Sequence, residues 1–382
     1  MSVQTTVFVN TADALEESLR ALGPSAFVAL DTEFMRESTY YPKLCLVQLA
    51  SLEYCALVDP LALSDLEPLW SFLIDPRRLK VLHAARQDLE VLAVRAPHTL
   101  PLAPIFDTQI AAALLGQSAQ IGYGALVSAR LGISLAKGHT RTDWSRRPLS
   151  AEQLDYAADD VRHLASLHLE LRAALERAGK LDWLQQEAQE IEQLDTFKIE
   201  PRDAWRRLRG LERLKPEQRA TAKLLAEWRE ELAIKHDKPR GWILADNALR
   251  EISERMPKDE QELECIRSLT DGVIRRRGGE LLDIVARGEA MKATEADIQR
   301  PMRPEPAQLA LVTKLMNFVR GHAHALDVCP ELLATRRDIE QLVFSGRTEH
   351  LLEGWRREAV GERLLDLLSG ERTAPSPHGA NP

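Results

Sequence analysis

Hydrophobic positions follow two rhythms along the chain, and the change falls near residue 200. Before it, short apolar runs alternate with helical stretches. Phe27–Leu30, Leu44–Leu49, Cys55–Val58 and Lys80–Leu82 predict strands, whereas Asp65–Leu73, Asp88–Val94 and Thr108–Leu115 predict helices. Short turns between the first strands suggest an antiparallel start, and helices separate the later ones. An α/β domain with a mixed sheet is expected. After about Pro201 only helical periodicity remains, broken by Pro and Gly. Pro301, Pro304 and Pro306 mark a linker that divides this half. The pieces Leu224–Ile252 and Lys314–Leu342 look weakly repeated: amphipathic helix, polar turn, short apolar step, second helix.

The first predicted strand ends unusually. "FVALDTEF" runs from a core-like stretch into Asp31, Thr32, Glu33 and Phe34. Alternation along a strand puts Asp31 and Glu33 on one face, where two carboxylates repel and are costly to bury without a partner. A positive group between them is expected. Two more acidic positions stand beside this pair. In "KVLHAARQDLEVL" a strand, His83 and two small residues lead to Asp88 at a helix start. In "SAEQLDYAADDVRHL" Ser150 and Gln153 form a plausible capping box, and Tyr156 and Asp160, four residues apart, share a helix face. Asp155 and Asp159 lie on the same helix, so counting alone does not select Asp160. Converging carboxylates suit hard divalent cations, and four can hold two ions for in-line attack on a phosphodiester. Taken singly, each has a plainer reading: a solvated strand end, a helix cap, a half-buried packing ring.

Composition bounds the class. At 382 residues, two or three domains are expected, and 45% hydrophobic with 28% charged residues is globular. The net charge of −8 speaks mildly against a protein that coats nucleic acid. Local basic runs remain, at Lys137–Arg147, Arg202–Arg213 and Arg275–Arg277, with Trp144 and Trp205 among them. No apolar run reaches the ~18–20 residues of a membrane span, and the start lacks a signal-peptide pattern. Four scattered cysteines suit a reducing compartment. A cytoplasmic protein is expected, with no membrane partner.

The order of these acids carries a resemblance. "DTEF", "HAARQDLEVL" and "YAADDV" resemble the three exonuclease motifs of the DEDD superfamily of 3′→5′ exonucleases, in the branch whose third motif carries Tyr. "TYYPKLCLVQLA", "FDTQIAAALLG" and "RTDWSRRPLS" look like the bacterial ribonuclease D family in particular, and the trailing repeats resemble its two HRDC (helicase-and-RNase-D C-terminal) domains. The match is weakest over the second of these. The resemblance implies a ribonuclease H-like α/β exonuclease domain at 1–181, a linker at 182–209 and a first all-α HRDC domain at 210–292. A Pro-rich linker at 293–306, an HRDC-like domain at 307–370 and a disordered tail at 371–382 complete the division.

It also implies two Mg²⁺ or Mn²⁺ ions held by Asp31, Glu33, Asp88 and Asp160, with Tyr156 orienting the attacking water. Asp31 would bridge both ions, Glu33 and Asp160 would complete the nucleophile-side ion, and Asp88 would hold the other. Thr32, Phe34, His83 and Trp144 are candidate substrate contacts. For His83 a structural hydrogen-bonding role is preferred, and Asp107 reads as a helix cap with possible help to the site. The implied activity is 3′→5′ exoribonuclease acting on structured RNA such as tRNA precursors; the sequence does not give the oligomeric state, and a monomer is favoured. The alternatives are a DNA-directed exonuclease of the same superfamily and a non-catalytic RNA-binding scaffold.

Overall fold

The structure is a computed structural model that describes residues 4–96, 102–135, 142–192, 200–291 and 304–373. The chain forms two compact units. One contains residues 1–34, 44–194 and 304–382, and the other residues 35–43 and 195–303.

The first unit is built on a six-stranded sheet. Its strands are β1 (Thr5–Val9), β2 (Phe27–Met35), β3 (Lys43–Ala50), β4 (Tyr54–Val58), β5 (Leu79–Leu82) and β6 (Ile105–Asp107), in the order β1-β4-β3-β2-β5-β6. β1 runs parallel to β4, β2 to β5 and β5 to β6, while β3 and β4 are antiparallel, so the sheet is mixed as expected. Two strands escape the apolar pattern. β1 opens on exposed threonines, and β6 has only three residues. The four central strands supply the core, with Val28, Leu30, Leu46, Leu57 and Leu82 at 0–1% exposure.

Helices α1 (Ala12–Leu22), α2 (Glu67–Leu73), α3 (Arg86–Arg95), α4 (Thr108–Leu114), α5 (Tyr123–Leu131), α6 (Ala151–Arg162) and α7 (Leu164–Ala178) complete the α/β part. The first part of the expected linker 182–209 is helix α8 (Leu181–Glu192). It is helical because Leu184, Glu187 and Ala188 recur on one face and are buried. The C-terminal helices, beginning with Pro306–Ala325, belong to this same unit. Arg356 makes a two-pronged ion pair with Glu187, at 2.6 and 2.8 Å, and Trp355 Nε1 donates to the same carboxylate. Trp183 stacks on Trp355 with ring centroids 4.5 Å apart. Lys180 Nζ donates to the carbonyls of Leu114, Leu326 and Asp327, each at 2.8 Å. The last helix runs to Thr373, three residues into the expected tail; residues 374–382 and most of the Pro-rich linker lie outside the described residues.

The second unit is helical: α9 (Pro216–His236), α10 (Arg240–Ile243), α11 (Asp246–Arg255), α12 (Glu260–Glu264) and α13 (Asp271–Ala290), preceded by 3-10 turns. The 3-10 helix Pro201–Arg207 packs on α9, so that part of the expected linker is also ordered structure. Gly288 lets α13 approach α9 closely, since a Cβ there would lie 2.0 Å from Thr221 Oγ1. The stretch after β2 joins this unit. The amides of Tyr40 and Tyr41 donate to Asp237 Oδ1, and the Tyr40 hydroxyl donates to the fully buried Glu230. The weak sequence repeat has a structural counterpart. Long helix, one-turn helix and ten-residue helix recur as Pro216–His236, Arg240–Ile243, Asp246–Arg255 and as Pro306–Ala325, Pro330–Leu333, Arg336–Ser345.

The Glu187–Arg356 pair offers a test of how the C-terminal helices are held. Arg356→Ala leaves a buried carboxylate without its cation and is expected to cost roughly 3–5 kcal/mol in urea unfolding. A Glu187→Leu/Arg356→Met double variant should recover most of that loss. If the single variant unfolds at the wild-type urea midpoint, the pair does not anchor these helices.

Candidate active site

β2 stays extended past its apolar half and delivers Asp31 and Glu33 to one face of the sheet. α6 starts on the expected capping box, Ser150 accepting from Gln153 N and Gln153 Oε1 from Ser150 N. That start sets the phase in which Tyr156 and Asp160 face the strand acids. Oxygens from Asp31, Glu33 and Asp160 all lie within 4.8 Å of one another. The other acids of α6 are used elsewhere: Asp155 is exposed, and Asp159 pairs with Arg162. Asp88 sits in the first turn of α3, where the helix N-terminus favours a carboxylate. It stands outside that three-residue group yet close enough to raise the pKa of Asp31.

Burial and mutual repulsion dominate the electrostatics. Asp31 is pushed well above the usual carboxylate range, first by burial and then by Asp88, Asp160 and Glu33. Burial, with Asp160 and Asp88, raises Glu33 to about 8. Asp160 rises to about 7 through burial, against the lowering effect of the Tyr156 hydroxyl that hydrogen-bonds it. Asp88 rises to about 6, also by burial, although hydrogen bonds from Thr32 hold it down. The Tyr156 phenol is pushed up by burial and by the same acids, so it stays protonated and donates.

Of the four candidate substrate contacts, three belong to the framework. Thr32 is buried, and both its amide (3.1 Å) and its hydroxyl (2.6 Å) donate to Asp88 Oδ1, so it fixes that acid. His83 has both ring nitrogens engaged, Nδ1 with Thr108 Oγ1 and Nε2 with the Ile121 carbonyl, which matches its structural reading. Trp144 is only 5% exposed and packs beside Tyr156, so it offers no open face for a base. Phe34 is half-buried at the strand end. Asp107 caps α4 and also accepts from the amides of Ala84 and Ala85, bracing the turn before Asp88.

Two residues were missed from sequence. Gln48 on β3 is fully buried, and its Nε2 lies 3.4 Å from Asp31 Oδ2 while its Oε1 has no hydrogen-bond partner. A polar residue inside the apolar run "CLVQLA" was the available signal. Tyr123 donates to the Asp159 carbonyl and stands near Asp160 and Asp31. Of the basic runs, residues 137–141 lie outside the described residues. Arg147 and Arg207 turn to Asp59 and Glu230 instead of to solvent anions.

A 3′→5′ exonuclease family model matches residues 6–176, and an HRDC domain model matches residues 218–285. The chain is 38% identical to a ribonuclease D of Acidiphilium cryptum over 95% of this chain and 93% of that one. It is 37% identical to a ribonuclease D of Pseudomonas paraeruginosa over 93% and 95% of the two chains. The chain belongs to the ribonuclease D family. Escherichia coli RNase D, described as an exoribonuclease involved in structured RNA processing, superposes with a TM-score of 0.85 at 32% identity, covering 96% of this chain and 99% of that one. The activity is accordingly hydrolytic 3′→5′ exoribonuclease, and the DNA-directed and scaffold alternatives are not favoured.

Exonucleases of this family work with two divalent metal ions. The residues present fit them: the donors are all oxygen, they converge, and each carboxylate is destabilised as an anion by its neighbours. These acids give stability a definite pH dependence in metal-free protein. Their folded pKa values lie above the unfolded values near 4, so the folded state holds extra protons between the two. Stability is therefore fully present below about pH 4 and is lost as pH rises through about 6 to 8. In EDTA the Tm should fall from about pH 5 to about pH 8, and saturating Mg²⁺ should remove most of that fall. A metal-free Tm that rises over this window would contradict the electrostatic account.

Proposed function

We propose that the enzyme trims the 3′ ends of structured RNA, tRNA precursors among them, in the cytoplasm, releasing nucleoside 5′-monophosphates. The supporting observation is the convergence of Asp31, Glu33 and Asp160 beside Asp88, with the Tyr156 hydroxyl on Asp160. Asp31, Glu33 and Asp160 would hold one cation, and Asp31 with Asp88 the second. When bound, the ions lower the pKa of the attacking water and stabilise charge on the attacking and leaving oxygens.

The chain's own residues do the rest. Thr32 fixes the rotamer of Asp88 through two donated hydrogen bonds. Tyr156 keeps its proton, so it orients the attacking water by hydrogen bonding rather than removing its proton. The HRDC domain at 218–285 and the C-terminal helices, which repeat its element order, would position structured RNA. Trp205, flanked by Lys223 and Arg206, is one aromatic-basic group suited to such contact.

Tyr156→Phe keeps the ring and the four carboxylates and removes one hydroxyl. The expected kcat loss on a short single-stranded RNA is roughly 10²–10⁴-fold, with KM and Mn²⁺ affinity little changed. Single-turnover kinetics with Mn²⁺ binding measured alongside separates the cases, and a Phe variant at wild-type kcat would remove Tyr156 from the mechanism. Processing of a tRNA precursor, compared with a DNA strand of the same sequence, tests the substrate class.

A further inference from the structure

The loop before α6, residues 142–149, contains a built ionic joint. Arg147 Nε and Nη2 donate to Asp59 Oδ2 and Oδ1, both at 2.6 Å. The remaining donors go to backbone: Nη2 to the Cys45 carbonyl on β3 at 2.7 Å, and Nη1 to the carbonyls of Trp144 at 2.8 Å and Arg146 at 2.7 Å. Asp59 directly follows β4, its side chain is 2% exposed, and its amide donates to the Val9 carbonyl. Burial alone would raise the Asp59 pKa, but the Arg147 hydrogen bonds hold it low, so the pair stays charged. One guanidinium thus ties the loop to two strands of the sheet.

Trp144 hangs from this joint. Its indole is buried against Tyr156, ring centroids 6.1 Å apart and planes tilted by 34°. The Tyr156 ring sits on α6 with its hydroxyl on Asp160. Rotation of a tyrosine ring about its Cβ displaces the hydroxyl more than any other atom, so a wall beside the ring controls where that proton points. A surface arginine serving RNA phosphate would leave its donors free, and a stacking tryptophan would present an open face. Neither description fits these two residues.

We propose that Arg147 and Trp144 are positioning residues for Tyr156: the Arg147–Asp59 joint fixes the loop, and the Trp144 indole fixes the phenol. The inference rests on the reading of Tyr156 as the group that orients water. Displacing a reacting group by an ångström far from the chemistry costs up to about 10²-fold in rate. Trp144→Leu and Arg147→Lys should therefore lower kcat roughly 10–10²-fold with KM and Mn²⁺ affinity nearly unchanged. Trp144→Phe, which keeps an aromatic wall, should recover part of the loss.

The decisive measurement is a double-mutant cycle on the full chain, with circular dichroism confirming the fold of each variant. In a Tyr156→Phe background, Trp144→Leu and Arg147→Lys should each cost less than about twofold, because the hydroxyl they orient is gone. Full additivity, or single variants at wild-type kcat, would overturn the proposal. Should Arg147→Lys unfold, the Trp144 pair of variants decides alone. If Tyr156→Phe by itself keeps wild-type kcat, the reading of Tyr156 fails, and the inference falls with it.

Discussion

Repulsion among half-buried carboxylates is the constraint around which the catalytic part is arranged. Asp31, Glu33 and Asp160 face one another across a few ångströms, and Asp88 adds its field from α3. Water screens such a half-buried arrangement poorly, and burial together with the neighbouring acids raises the pKa values of these groups. The apparatus around them holds oxygens in place against this repulsion. Thr32 grips Asp88, Gln48 reaches Asp31, Tyr156 donates to Asp160, and Asp107 braces the turn that leads into α3. Divalent cations resolve the repulsion, and the same charge drives the hydrolysis.

The contrast with other buried acids of the chain sharpens the point. Asp59 has Arg147, Glu187 has Arg356 and Trp355, and Glu230 has the Tyr40 hydroxyl with Arg207 and Arg240 nearby. Each of those carboxylates is neutralised by the chain itself, which is how structural ion pairs persist in a low-dielectric interior. At the strand end the chain supplies acids to acids. An arrangement that costs stability and meets no cation among the described residues is the mark of a site built for something outside the chain.

Much of this was legible in the sequence because it depends on period and order. Alternation put Asp31 and Glu33 on one face, the Ser150–Gln153 box set the start of α6, and the i,i+4 spacing put Tyr156 over Asp160. What stayed hidden depends on tertiary partners. Nothing local tells that Thr32 turns to Asp88 rather than to substrate, that Trp144 is walled in, or that Arg147 meets Asp59 across 88 positions of chain. The linker expected after residue 181 begins instead as the helix α8. Its Glu187 is held by Arg356, a partner 169 positions away that no local pattern shows. Strand β6 is too short for any period to show.

The central claim is that the acid cluster exists to hold two divalent cations. Calorimetric titration of Mn²⁺ into the metal-free chain near neutral pH, with a nucleoside 5′-monophosphate present and in two buffers of different ionisation enthalpy, tests it most directly. The account predicts two ions per chain, net proton release as the raised carboxylates ionise, and loss of the high-affinity step in Asp31→Asn. Binding without proton release, at a stoichiometry and affinity that Asp31→Asn leaves unchanged, would contradict it.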